Sequence, residues 1–98
     1  MYHMDHLLTL LTLEKAKELR FAAGKPPLMV SEDEERLLEG PALTAEDVRR
    51  LLRCVAGSRE MRELRQSGAV SFLHTPTAGP AVLVRTHLEQ EDLVFDIS

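Results

Sequence analysis

The sequence predicts an α+β domain in which helices cover one face of an antiparallel sheet. Three observations predict it. Apolar residues recur at helical spacing in separate stretches near the amino terminus and in the middle of the chain. From Ala69 onward the period changes to two. Gly- and Pro-containing turn signals punctuate these stretches. The chain has 98 residues, 44% of them apolar and 29% charged, which fits a single domain over 1–98 because a domain takes roughly 100–150 residues. At this size roughly 60–70% of the unfolded surface is buried, enough for two packed layers but not for a deep cavity.

Met4, Leu7, Leu8 and Leu11 stand at i, i+3, i+4 and i+7 and predict a helix over 4–17 with one core-facing side. Leu10 lies at the margin of that side and Leu13 beyond it, so both are candidates for contact with a partner. Leu19 and Phe21 alternate with Glu18 and Arg20, Ala23-Gly24-Lys25-Pro26-Pro27 breaks the chain, and Leu28-Met29-Val30 follows, a pattern of strand, turn, strand. The acidic turn 31–35 precedes a short extended piece over 36–38, which Gly40-Pro41 ends.

Thr44 is placed to cap a helix, with Glu46 and Asp47 in the first turn where the helix dipole favours negative charge. Val48, Leu51, Leu52 and Val55 then predict a helix over 45–56 with Gly57 as its stop, and Cys54, beside Val55, reads as a small buried hydrophobe. Ser58 is expected to cap a second helix through Gln66, ended by Gly68, with Met61 and Leu64 turned inward. Val70 and Phe72 then alternate with Ser71 and Leu73, a turn is expected at 75–80 and a long strand over 81–88. After the turn 89–92, Leu93, Phe95 and Ile97 point one way and close a three-stranded meander.

Twelve Lys and Arg against sixteen Asp and Glu give a net charge of −4, which argues against a nucleic-acid partner because phosphate neutralisation drives that affinity. With one Tyr and no Trp there is also little aromatic surface for stacking bases. The single Cys54 forms no internal disulfide or multi-thiolate zinc site, so a reducing compartment is the default. The leucines at 7–13 do not read as a signal peptide: no Lys or Arg precedes them, and Glu14, Lys15, Lys17 and Glu18 follow directly. No stretch approaches the roughly 20 apolar residues of a membrane span. The expectation is a soluble, cytoplasmic protein that does not insert into membranes.

No residues stand out as catalytic. His3 and His6 are one helical turn apart but lie at a terminus, where coordination geometry is not held. His74 and His87 are expected to approach each other across a hairpin near Ser71 or Cys54, yet no nucleophile signature surrounds them. Gly24-Lys25 is followed by Pro26, which removes an amide donor and blocks the helix whose amino terminus would hold a phosphate. No cofactor and no metal are expected.

The charge is nonetheless uneven. Arg49, Arg50, Arg53, Arg59, Arg62 and Arg65 stand against Glu60 and Glu63, a local net of +4 inside a chain of −4. Guanidinium groups make bidentate contacts to carboxylates, so the six arginines are candidates for docking an acidic partner. The plainer alternative is a solvated helix face laced by intrahelical pairs such as Glu46 with Arg50 and Arg59 with Glu63.

Several strings follow one another in a recognisable order: the leucines at 7–13, Ala16-Lys17-Glu18-Leu19-Arg20, Ala23-Gly24-Lys25-Pro26-Pro27, Leu43-Thr44-Ala45-Glu46-Asp47-Val48, Arg59-Glu60-Met61-Arg62-Glu63-Leu64 and the strand from Gly68 to Leu73. Together they resemble the amino-terminal domain of secretion-superfamily ATPases, particularly the pilus-retraction (PilT-like) and type II secretion motors. The resemblance spans nearly the whole chain and implies a PAS-like α+β fold, an antiparallel sheet with an N-terminal helix and a central helix pair packed on it. In that family the domain precedes a RecA-like motor that carries the phosphate loop and assembles in sixes. Family members have Ser-Asp-Leu-His where Lys17-Glu18-Leu19-Arg20 stands, and their nucleotide-facing arginines fall at Val82 and Val84. Arg85, displaced by one residue, faces the other side of the sheet.

The resemblance and these departures imply a non-enzymatic adaptor or regulatory domain of type IV pilus, type II secretion or motility machinery. Its partners would be other proteins, a secretion or pilus ATPase or a second copy of the chain. Two other readings remain open: the leading part of a full motor, and a PAS-like sensor enclosing a small molecule.

Overall fold

The computed structural model describes residues 2–77 and 79–98. Ala78, inside the turn expected at 75–80, lies outside them. The elements run α1 (Met4–Leu13), β1 (Glu18–Phe21), β2 (Leu28–Val30), β3 (Glu35–Leu37), α2 (Ala45–Arg53), α3 (Ser58–Ser67), β4 (Ala69–His74), β5 (Val82–Glu89) and β6 (Asp92–Ile97). The six strands form one curled antiparallel sheet in the order β3-β2-β1-β6-β5-β4, so the expected meander of β4, β5 and β6 joins the first three strands through β1 and β6. Leu19 pairs with Ile97 and Phe21 with Phe95 along that seam, and the two phenyl rings stack with centroids 4.4 Å apart. This confirms the α+β expectation.

One face of the sheet is apolar. Leu19, Phe21, Val84, Phe95 and Ile97 meet Leu7, Leu11, Val48, Leu51 and Leu52 of the helices in one core, placed there by the period of two on the strands and of 3.6 on the helices. Among the described residues no helix is long and apolar enough to cross a membrane.

Helix α1 stops four residues before the expected Lys17. Lys15 adopts φ 53°; its N–H donates to Thr12 O (3.2 Å) and that of Ala16 to Leu11 O (3.0 Å), a Schellman closure with lysine where glycine is usual. The turn delivers the Lys17 N–H to Val30 O at 2.7 Å, so joining the sheet outcompetes one more turn of helix.

Gly57 is not the stop of α2. The helix ends at Arg53, and the N–H groups of Cys54, Val55 and Ala56 fold back onto Leu51 O and Leu52 O. Gly57 is extended (φ −87°, ψ −179°) and caps α3, its N–H donating to Glu60 Oε1 at 2.8 Å. Ser58 is therefore the first helical residue and not the cap. Cys54 is exposed rather than buried, its thiol donating to Arg50 O at 3.4 Å, because it lies one turn from Arg50 on the outer flank while Val55 takes the inward position. β3 starts one residue earlier than expected and β5 is shifted by one.

The amino-terminal segment is strapped to α2. The Tyr2 hydroxyl donates to Pro41 O at 2.7 Å and Arg50 Nη2 donates to Tyr2 O at 3.2 Å. Gly40 has φ 140°, and a Cβ there would lie 2.5 Å from Tyr2 Oη. Two substitutions should shift urea unfolding in opposite directions. Lys15→Gly relieves the left-handed turn and raises stability by about 0.5–1 kcal/mol. Gly40→Ala adds backbone strain and displaces Tyr2, lowering it by about 1–3 kcal/mol.

Candidate interaction surface

Arg49 and Arg53 stand on α2, whose first turn is fixed by its cap. The Asp47 N–H donates to Thr44 Oγ1 and the Thr44 N–H to Asp47 Oδ2, each at 3.0 Å, a reciprocal box that fixes the first turn. The bond from the Thr44 backbone, seconded by its hydroxyl, holds the Asp47 carboxyl below its ordinary range, and the nearby Arg50 adds to the effect. With Val48, Leu51 and Leu52 turned inward, Arg49 and Arg53 project outward. On α3 Leu64 is the buried anchor, which leaves Arg59, Arg62 and Arg65 exposed.

Arg50 is half-buried and committed to the Tyr2 carbonyl. The intrahelical pairs of the plainer alternative, Glu46 with Arg50 and Arg59 with Glu63, do not form. Among the described residues no carboxylate lies within ion-pair distance of Arg49, Arg53, Arg59, Arg62 or Arg65. Arg53, Arg62 and Arg65 flank a surface recess of about 330 Å³, floored by Ala56, Gly57, Ser58 and Met61, where α2 hands over to α3. Three unpaired guanidinium groups around one depression suit a cluster of carboxylates.

The leucine candidates separate. Leu13 is 72% exposed and borders an apolar recess of about 250 Å³ with Leu8, Pro76 and Val82. Leu10 is partly buried against the core and lies beside Tyr2, His6 and Leu38.

The outer face of the sheet carries charges that sequence reasoning did not assemble. Arg85 pairs with Asp96 (2.9 Å) and Glu18 (3.3 Å), and Arg20 pairs with Glu18 (2.6 Å) and Glu35 (3.5 Å). Glu18, with a side chain 13% exposed, is bracketed by the two arginines. Its hydrogen bond to Arg20, and then its charge, raise the Arg20 pKa. Only the register, with Asp96 opposite both Arg20 and Arg85, reveals this row. Val82 and Val84 turn into the core and Arg85 faces outward, as the alternation predicts, so the cations of this face are already occupied by carboxylates.

The expected approach of His74 to His87 does not occur. His74 pairs with Val82 and His87 with Ala69, which puts them at opposite ends of the hairpin, about 17 Å apart at ~3.3 Å per residue. Among the described residues no group of three or more His, Cys, Asp or Glu converges on a point where a metal would sit.

No protein-family model and no curated protein matches the sequence. Solved structures do match its fold. The pilus retraction motor PilT, crystallised with bound ADP, superposes with a TM-score of 0.84 at 18% identity, over 99% of this chain and 28% of its own. The fold is that of the PilT amino-terminal domain. The Legionella pneumophila ATPase DotB shares this PilT-type fold, with a TM-score of 0.78 at 12% identity over 96% of this chain and 27% of its own. The chain thus spans little more than a quarter of either protein.

The cap of α2 is pH-sensitive in a defined direction. The folded Asp47 pKa lies below its ordinary 3.8, so the stabilisation is complete above that value and is lost as pH falls through the folded one. Thermal melts should therefore show the wild type losing its advantage over Asp47→Asn below about pH 4, with a constant gap between the two above it.

Proposed function

We propose that this chain is a non-catalytic protein-interaction domain of pilus or secretion machinery that docks an acidic protein surface on α2 and α3. The observation that carries the reading is the set of five exposed arginines that have no carboxylate within ion-pair distance among the described residues. A guanidinium that finds no partner at home is available to one on another molecule, and charged docking of this kind governs partner choice and rate of encounter. The likeness of its fold to parts of PilT and DotB supports the choice of machinery. Leu13 adds exposed apolar area for the same purpose.

The reading of the chain as the leading part of a motor draws on a different observation, its coverage of 28% of PilT. Codons downstream of Ser98 that continue into a phosphate loop would establish it, and the arginine face would then serve contacts within that assembly. The sensor reading has less to stand on, because the recesses described above open at the surface, whereas a ligand pocket is a cavity with placed polar groups.

The test is capture from native lysate on immobilised protein. Arg49→Glu, Arg53→Glu and Arg62→Glu combined should abolish capture of partners held by the wild type while leaving the melting temperature nearly unchanged, since surface substitutions of this kind shift stability by only about 0.5 kcal/mol. Undiminished capture would remove the proposal.

A further inference from the structure

The sheet ends in two unlike edges. At one of them the Leu88 N–H donates to Gly68 O at 3.0 Å. Carried along the register of β4 on β5, the alternation makes Val70, Phe72 and His74 the hydrogen-bonded partners of β5, so Ala69, Ser71 and Leu73 turn their N–H and C=O groups outward. This edge of six residues bears no Lys, Asp, Glu or Pro, so it lacks the charges and the proline that blunt many free strands. Leu73 is 74% exposed on it, and α3 with Arg59, Arg62 and Arg65 packs beside it.

The other edge is short and acidic. The Ser31 N–H donates to Glu34 O and the Leu38 N–H to Pro27 O, so Glu35 and Leu37 of β3 face outward. Glu32, Asp33 and Glu34 form the adjoining tip, exposed and without ion-pair partners among the described residues. Six strands about 4.8 Å apart separate the two edges by roughly 24 Å along the curl of the sheet, and among the described residues no arginine of α3 pairs with a carboxylate of the tip. Charge decides which edges are compatible. Pairing β4 with β4 of another copy sets α3 against α3, and pairing β3 with β3 sets carboxylates against carboxylates. Only β4 against β3 brings opposite charges together.

We propose that the β3 edge and acidic tip of one copy dock on the β4 edge and α3 arginines of the next, continuing the sheet head to tail. The inference rests on the arginine face being a docking surface and names its occupant as a second copy of this chain. Because each copy uses two different edges, the contact is heterologous and propagates to a ring or a filament.

Sedimentation velocity on the purified chain at roughly 0.05 M and 0.5 M salt tests it, since the higher salt shortens the screening length to about 4 Å. Expected are species larger than a dimer at low salt that disperse at high salt. Glu32→Lys with Asp33→Lys and Glu34→Lys, and separately Arg62→Glu with Arg65→Glu, should each weaken self-association by at least about tenfold. An equimolar mixture of the two variants should assemble again, because every contact between unlike copies then joins opposite charges. Ser71→Pro removes an outward N–H without touching the ladder to β5; it should melt as a folded protein and fail to assemble.

A monomeric wild type, a dimer that does not grow, reversed variants that associate like the wild type, a mixture that stays monomeric, or Ser71→Pro that assembles normally would each overturn the inference. A monomeric wild type that still captures partners through its arginines would overturn only the inference and leave the docking reading standing.

Discussion

The seam between β1 and β6 is the constraint on which the remaining structure depends. It joins strands nearly 80 residues apart in sequence, Leu19 to Ile97 and Phe21 to Phe95, at the centre of a sheet whose two halves are otherwise locally connected. The stacked phenyl rings 4.4 Å apart lie on its buried side, where an aromatic pair adds about 0.5–1.5 kcal/mol beyond the area it buries. On the opposite side the same register lines up Arg20, Asp96 and Arg85. A slip by one residue would exchange the two faces, sending the phenyl rings to water and the charges into the core. One register therefore fixes the core and the outer ion-pair row together.

That seam also marks where sequence reasoning stops. Elements that rest on local periodicity were legible: Met4, Leu7, Leu8 and Leu11 are all buried, as are Val48, Leu51 and Leu52, and the Thr44 cap follows from a local pattern of side chains. The unread features depend on distant neighbours. Nothing near Lys15 states that the chain must leave α1 there to meet Val30, and Gly57 fits a helix stop or a helix start equally well until the geometry of the following turn is known. His74 is expected next to a turn and His87 on a strand; His74 in fact ends β4, and the hairpin register separates the two. The Glu18 row was invisible for the same reason, since its members come from four segments of the chain.

The arginine stretch was legible as composition but not as a surface. Its six members divide into one structural cation, Arg50, which holds the amino-terminal strap, and five that face outward without an ion pair among the described residues. The division follows from helix phase and from the path of Tyr2 across α2, which no spacing rule contains. The same local structure that anchors the strap thus leaves the other arginines of this stretch free on α2 and α3, while the β2–β3 tip collects negative charge at the far edge of the sheet. This polarity links a modest net charge to a strong directional preference in docking.

The Glu18 row has a thermal consequence. Holding the mostly covered Glu18 carboxylate between two half-exposed guanidinium groups costs it hydration, and that cost shrinks on heating because ordered water around ions carries a large negative entropy. Apolar burial gains little over the same range. The outer layer of the sheet is thus relatively better secured in warm water than in cold.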